Sequence, residues 1–350
     1  MAIKAPFPYM GGKSTVAPLI WQALGQPDHY IEPCFGSGAV LLARPNYNPR
    51  SHTETVNDAD GHIANVWRSL QADPDAVAKY CDWPVNHADL SARKRVLVEV
   101  KGDLLQKLVA DPDYYDPKIA GYWVWCACCW IGSGMTRLGS IPHLTNSGQG
   151  VHAAGQIADL TSSGQGVHAI GKIPYLGSRG VGVHAAGQIA DSNPSLDVRE
   201  PYNTNIYSWF RQLSERLRHV RVVCGDWSRV CGGDWQDSHW NDVGIFFDPP
   251  YAVEDRDDVY DVDDFEVAHK IRAWAIERGS RPSYRIVIAG YEEHKDELLE
   301  AGWSIKTWKA SGGYGNIARG NKESRGKANR HRECLYFSPH CLNHTQESLI

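Results

Sequence analysis

No run of 18 apolar residues occurs in this 350-residue chain, which excludes a membrane-spanning helix as the sequence is read. The opening stretch MAIKAPFPYMGGK lacks the apolar segment of a secretory signal, so the expected location is the cytoplasm. Paired CxxC motifs are missing as well. The nine cysteines are odd in number and run from Cys34 to Cys341, and their tightest group, Cys126, Cys128 and Cys129, lacks zinc-site spacing. Reduced thiols are the expectation, with no metal. Positive charge is also scarce. The net charge is -5, whereas a nucleic-acid-binding chain usually advertises a basic face. The distribution is uneven, however. Residues Asp242–Glu266 are strongly acidic, while Arg319–Arg332 holds six Lys or Arg against one acid, Glu323. A local strip of that kind suffices to hold phosphates.

Two phosphate-binding signatures are absent despite appearances. Gly11-Gly12-Lys13-Ser14-Thr15 suggests a P-loop, but that pattern needs Gly five residues before the Gly-Lys pair, where Phe7 stands. No apolar strand precedes it, which argues against an ATPase. The turn Gly36-Ser37-Gly38 is not a dinucleotide fingerprint, because Leu41 occupies the position of the third Gly or Ala.

What is present is an alternation of short apolar runs and helical patterns. Residues 28–42 read as a strand, a Gly-rich turn and a helix start. Residues 53–70 repeat that form, with an amphipathic helix through Ile63, Val66, Trp67 and Leu70. Further strands are expected at 219–226, 243–248, 284–289 and 333–338. Together they predict a parallel-rich α/β sheet, with ligands at the carboxyl ends of its strands. Glu32, Asp58, Asp226 and Asp248 stand at or just beyond such ends, and four acids on one rim are hard to explain by folding alone. Residues 71–212 break the pattern. They read as helical over 71–130 and then as four Gly-punctuated repeats of period 16 over about 131–194, with Gly-x-Gly at 132, 148, 164 and 180. The division predicted is a sheet domain from 1–70 and 213–350, interrupted by an insert over 71–212.

Asp248-Pro249-Pro250-Tyr251, after the apolar run Gly244–Phe247, is the strongest chemical signal. The N6 amine of adenine is a poor nucleophile, because its lone pair is delocalised into the ring. A carboxylate and a backbone carbonyl can accept its two hydrogens and let the nitrogen pyramidalise toward a methyl donor. Asp248 offers the carboxylate, Pro249 a carbonyl with no competing N–H, and Tyr251 a face for an extruded base. The plain alternative is a strand ending in a Pro-Pro turn. As a rim carboxylate, Asp248 should add little to stability. Glu32-Pro33-Cys34-Phe35-Gly36-Ser37-Gly38 is a turn that lets a cofactor approach the backbone closely, though a lone GxG is a weak signal. Asp58 stands where an acid commonly accepts from a ribose, or it caps a helix. Asp226 binds the adenine of a cofactor or caps a turn.

In combination and order these segments resemble the Dam-type, D12 class, DNA adenine-N6 methyltransferases, including phage and prophage members. The likeness rests on Tyr9-x-Gly11-Gly12-Lys13, the 32–38 turn, Asn57-Asp58, a central insert and Asp248–Tyr251. It covers 1–70 and 215–300 well, the helical insert to about 140 loosely, and the repeats not at all. The resemblance implies a Rossmann-like fold dependent on S-adenosylmethionine (AdoMet), with an inserted target-recognition domain. It implies a cofactor site from Tyr9, Lys13, Pro33, Phe35, Gly36, Ser37, Gly38, Asp58, Asp226 and Asp248. Double-stranded DNA is the implied partner. Tyr9 stands where Trp is usual, and Gly132-Ser133-Gly134 replaces an Asn-Gly pair, with Arg137 matching a DNA-contacting Arg.

The repeat histidines His152, His168 and His184 suggest a metal, but no Asp or Cys recurs beside them. A duplicated spacer and a DNA-facing surface both fit. Beside a methyltransferase site, Arg319, Lys322, Arg325, Lys327 and Arg330 read as phosphate contacts. Two other functions compete with the adenine-N6 reading. An RNA base methyltransferase would use similar Pro-Pro-aromatic loops. A catalytically silent DNA-binding protein would show a broken Asp248–Tyr251 motif or a lost Gly36 or Gly38, and neither is found. Cytosine-N4 methylation uses related chemistry, usually with Ser in place of Asp248.

Overall fold

The computed structural model describes residues 3–7, 9, 12–129, 204–233, 240–250, 265–292, 295–308 and 333–342. They form two compact units, Gly11–Ala59 with His219–Ile350, and Met1–Met10 with Asp60–Arg218.

The first unit is built on a seven-stranded sheet. Its strands are β1 (His29–Glu32), β2 (Thr53–Asp58), β3 (Val220–Cys224), β4 (Val243–Phe247), β5 (Tyr284–Tyr291), β6 (Ser304–Thr307) and β7 (Glu333–Phe337). They lie in the order β3-β2-β1-β4-β5-β7-β6. The first five run parallel, and β7 is antiparallel to both β5 and β6. Every residue of β4 and β5 is buried, the pattern expected of strands covered on both faces. Ile31, Ile245 and Ile286 lie side by side in the register and join Phe247, Ile288 and Tyr336 in one core cluster. Each fully buried Ile or Phe side chain contributes about 1.5–3 kcal/mol relative to exposure. Gly244 has a packing reason, since a Cβ there would lie 2.6 Å from Pro27 Cγ.

Four short helices and one long one flank this sheet. They are α1 (Ala17–Leu24), α2 (Ala39–Leu42), α8 (Ser228–Cys231), α9 (Phe265–Gly279) and α10 (Lys295–Glu300). The strands read from the sequence all form, and β6 is added. Ile305 is its one apolar residue and Thr307 is exposed, so it lacks the apolar run that marks its neighbours. Pairing with β7 makes it a strand.

The second unit is helical, with α3 (Gly61–Ala72), α4 (Pro74–Cys81), α5 (His87–Ala110), α6 (Pro117–Cys129) and α7 (Thr204–Leu217). Capping sets the starts of three of these helices. Asp60 accepts from His62 N, Asp73 from Ala76 N ahead of Pro74, and Asn86 from Asp89 N. The two units divide at residues 59–60 and 218–219, whereas the sequence reading sets joins at 70–71 and 212–213. The reason lies in α3, which is buried nearly all round within the helical unit. Phe7 packs between Trp67 and Trp123, at ring separations of 5.8 and 4.8 Å. Arg68 donates to the carbonyls of Leu108, Asp111 and Tyr114 at 3.1, 2.9 and 3.2 Å. The apolar stretch of α6 is buried, and Gly121 lets it approach Tyr80 closely. Among the described residues no helix is long and apolar enough to cross a membrane.

Candidate active site

In the sheet unit, strand order reverses between β1 and β4, and ligands of open α/β sheets bind beyond the carboxyl ends of strands at such a point. Two of the motifs meet here. The chain leaves β1 through Pro33–Gly38 and leaves β4 through Asp248-Pro249-Pro250.

The first turn is held from several sides. Gly36 and Gly38 have φ of 47° and 65°, a region that other residues enter only with strain. Gly38 N donates to Phe35 O at 2.8 Å, and Phe35 N donates to Asn57 O at 2.9 Å. Asp58 Oδ2 accepts from Gly36 N at 2.8 Å. Asp58 therefore braces the turn directly. It does not cap α3, a role that Asp60 fills. Asn57 Nδ2 donates to Pro33 O at 3.0 Å and to Gly225 O at 2.9 Å, which ties the turn after β1 to the turn after β3. Asn57 is fully buried, and its Oδ1 has no partner among the described residues.

Glu32 is a strut beneath this turn. It is buried, and its Oε2 accepts from Tyr30 Oη at 2.9 Å and Leu41 N at 3.2 Å. Burial pushes its carboxyl well above the ordinary range; the Tyr30 hydrogen bond opposes the shift and the Asp248 charge adds to it. One of the four rim acids thus has a folding explanation. Asp226 has a partial one. It is exposed, and its Oδ1 accepts from Ser228 N at 2.9 Å and from Ser228 Oγ, which caps the turn into α8.

At the end of β4, Asp248 Oδ2 pairs with Lys13 Nζ at 2.8 Å. The lysine side chain is only 4% exposed and that of Asp248 21%. Removing one partner of a buried ion pair costs about 3–5 kcal/mol, because the other charge stays behind. The expectation that Asp248 adds little to stability is therefore corrected. Lys13 O accepts from Val16 N and Ala17 N at the approach to α1, so the Gly-Gly-Lys segment presents its lysine to a carboxylate. Cys34 lies in the same field. Burial and then the Asp58 and Asp248 carboxylates push its thiol well above the ordinary range, which keeps it neutral and unreactive.

Two features escape the sequence reading. Trp227, Phe247 and Trp274 form an edge-to-face trio at ring separations of 5.9–6.0 Å, packed at the end of β4. Glu333 opens β7 opposite Tyr291, the last residue of β5, and so reaches the same rim. The trio carries no recognisable pattern in the sequence, and Glu333 reads there only as one acid after a basic strip.

Pro33, Phe35 and Ser37 are buried in the first turn, Pro249 is buried and Pro250 half-buried. Tyr9 belongs to the helical unit, where its ring meets the edge of Phe7 at 6.2 Å. Tyr251, Arg137, His152, His168, His184, Arg319, Lys322, Arg325, Lys327 and Arg330 lie outside the described residues. None of the nine cysteines is in a disulfide. Among the described residues, no group of three or more His, Cys, Asp or Glu could hold a metal ion.

The donor set suits a cationic nucleoside. Carboxylates stand at or just beyond the ends of β2, β3 and β4, which flank β1 and the turn after it, whose positive-φ glycines keep side chains off the backbone. The family model for D12 class N6 adenine-specific DNA methyltransferases matches residues 9–129, about a third of the chain. The matched span includes Lys13, the 33–38 turn and Asp58, and it ends before Asp248. No curated protein matches the chain.

Proposed function

We propose that this chain methylates the N6 amine of an adenine turned out of a DNA duplex. The observation that carries the reading is the position of Asp248 and Pro249 at the end of β4, beside the Gly-rich turn at the strand-order reversal. The family match over 9–129 supports methyl transfer to DNA from the other side of the same rim. AdoMet, when bound, supplies a methyl group on a sulfonium. The chain's own residues do the rest. Pro33, Phe35, Gly36, Ser37 and Gly38 give the cofactor a close backbone approach, and Asp58 and Asp226 offer acceptors to its ribose and adenine. Asp248 and the Pro249 carbonyl accept the two amine hydrogens and turn the nitrogen lone pair out of conjugation. A methyl donor held there would supply the methyl group to that nitrogen lone pair, and the proton the amine gives up would pass to solvent water. Lys13 orients the Asp248 carboxylate through their ion pair. Tyr251 stacks on the extruded base. Arg137, the repeat histidines and Arg319–Arg330 contact DNA.

Asp248→Asn is the informative variant, because it removes the charge while keeping the shape and one oxygen that can still accept from Lys13. Plasmid DNA is incubated with protein and AdoMet, and the nucleosides are measured by mass spectrometry. The wild type should yield N6-methyladenine, and Asp248→Asn should lose about 100-fold in rate. AdoMet should still raise its melting temperature, as a ligand specific for the folded state does. A wild type that makes only N4-methylcytosine, or no methylated base, sinks the reading.

A further inference from the structure

Transfer to an exocyclic amine leaves the choice of base open. A carboxylate and a backbone carbonyl would accept the two hydrogens of cytosine N4 as well as those of adenine N6. In the place of that amine guanine and thymine carry a carbonyl, so the decision lies between adenine and cytosine. With the amine and the ring nitrogen next to it superposed, the two bases differ at C2, where adenine carries a hydrogen and cytosine an oxygen. Some group beyond Asp248 must read that position.

The rim offers two such groups on the far side of Asp248 from the Gly-rich turn. In strand order the turn follows β1, Asp248 follows β4, and β5, β7 and β6 come next. Tyr291, the last residue of β5, lies opposite Glu333, the first of β7. Trp308, just past β6, donates its backbone N–H to Glu333 O at 3.2 Å and so continues the row. Directly opposite residues of antiparallel strands set their side chains on one face, with Cβ atoms about 4.5–5.5 Å apart. Phe247 and Cys334 belong to the core cluster on one side of the sheet, so the residues next to them, Asp248 and Glu333, alternate to the other. Both Glu333 and Trp308 are half-buried, and each carries one buried polar atom. Among the described residues, Glu333 Oε2 and Trp308 Nε1 have no hydrogen-bond partner. An acceptor and a donor left in that state cost free energy that folding does not recover.

We propose that Glu333 and Trp308 are the residues that select adenine over cytosine, with Trp308 Nε1–H donating to a ring nitrogen beside C2 and the Glu333 carboxylate set against C2 itself. The adenine C2–H is a weak donor that a carboxylate accepts. Cytosine O2 would bring two acceptors together with no hydrogen between them, and the base is rejected. The inference rests on the adenine-N6 reading above and deepens it by assigning the choice of base. Burial raises the Glu333 pKa first, the Lys13 ammonium lowers it and the Asp248 carboxylate raises it, so the test is run in alkali to keep the carboxylate ionised.

The full-length protein is incubated with AdoMet and plasmid DNA at about pH 9, the upper end of the range that buried carboxyls reach. N6-methyladenine and N4-methylcytosine are read by nucleoside mass spectrometry. Glu333→Gln removes the charge and adds an amide that donates to a carbonyl. It should raise the ratio of N4-methylcytosine to N6-methyladenine at least about tenfold. Trp308→Phe keeps a ring and removes the N–H. It should lower kcat/KM on DNA about tenfold, with the AdoMet-induced melting shift retained. A Glu333→Gln ratio equal to that of the wild type, or a wild-type kcat/KM in Trp308→Phe, overturns the proposal. If either variant loses the melting shift, the wild type decides on short duplexes with substituted adenines. There 2-oxoadenine sets an oxygen against Glu333, and 2,6-diaminopurine sets an amine of similar size. The diaminopurine duplex should be methylated at least about tenfold faster, and equal rates or the reverse order overturn the proposal. A wild type that makes no N6-methyladenine overturns both this proposal and the reading beneath it, whereas an active wild type beside unaltered variants overturns this proposal alone.

Discussion

At the Gly-rich turn, a cysteine stands beside two carboxylates. Cys34 is the one half-buried cysteine among eight buried ones, which would ordinarily mark it as the thiol most open to reagents. Its surroundings argue the reverse. Burial disfavours the thiolate first, and the Asp58 and Asp248 charges disfavour it further. A free cysteine with pKa near 8.5 is about a quarter thiolate at pH 8. Cys34 should be far less ionised, because a raised pKa moves deprotonation to higher pH. Alkylation with iodoacetamide, mapped by peptide mass spectrometry, should therefore leave Cys34 unlabelled at pH 8 in the native protein and label it on unfolding. Cys34→Ser should keep methyl transfer within about twofold, since a neutral thiol at that position takes no part in the chemistry. Labelling of native Cys34 at the rate of a free thiol would remove the electrostatic picture of this turn. Lys13 and Asp248 teach a related lesson at the same scale. The sequence shows a lysine after two glycines and an aspartate before two prolines, and nothing local says that the first is buried against the second.

Among the elements, the turns that follow β1 and β3 are joined by a single side chain on β2. Asn57 reaches both Pro33 O and Gly225 O, and its backbone carbonyl receives Phe35 N. Asn57→Ala would leave two carbonyls short of a donor inside the fold. Each buried unsatisfied group costs about 1–3 kcal/mol, partly offset because Asn57 Oδ1 is itself unpartnered. The variant should be about 2 kcal/mol less stable in urea unfolding, and AdoMet should bind about tenfold more weakly as the two turns loosen. Unchanged AdoMet affinity in a clearly destabilised protein would show that the turns hold their shape without this clamp. The strands themselves were legible because parallel strands buried on both faces leave apolar runs such as Val243–Phe247 and Tyr284–Ala289. The rim acids were legible because these runs end in them. β6 was not legible, since Ser304–Thr307 holds a single apolar residue, Ile305, and becomes a strand by pairing with β7. The allegiance of α3 was hidden too. An amphipathic pattern states that a helix has a buried face, but the packing partners of Trp67 and Arg68 come from residues distant in sequence.

For the whole molecule, the open question is how an acidic chain of this kind would choose its DNA target. The net charge of -5 supplies no general attraction to phosphate, so affinity must come from a local surface, and Arg319–Arg332 is the densest basic segment in the sequence. Phosphate contacts position a protein without reading bases. Reading a short asymmetric word requires a fixed set of different side chains on base edges in the major groove. The repeats over about 131–194 offer little variety for that task, being mostly Gly, Ala and short polar residues, with His152, His168 and His184 recurring at a 16-residue interval. Identical groups at a regular interval suit tracking along a duplex better than discrimination within it. We therefore expect adenine methylation with relaxed sequence preference and a steep salt dependence. If five basic residues, Arg319, Lys322, Arg325, Lys327 and Arg330, each neutralise a phosphate, log affinity should fall against log salt with a slope of roughly -4 to -5. Changing each to Gln should flatten that slope by about one unit and weaken binding equally on all sequences. Single-molecule sequencing of plasmid DNA after exhaustive reaction should find N6-methyladenine in many contexts. Modification confined to one short motif would refute relaxed choice and would make the repeats either a sequence reader or an inert spacer. Deleting residues 131–194 would then separate those two, since loss of the motif requires a reader and its retention requires a spacer.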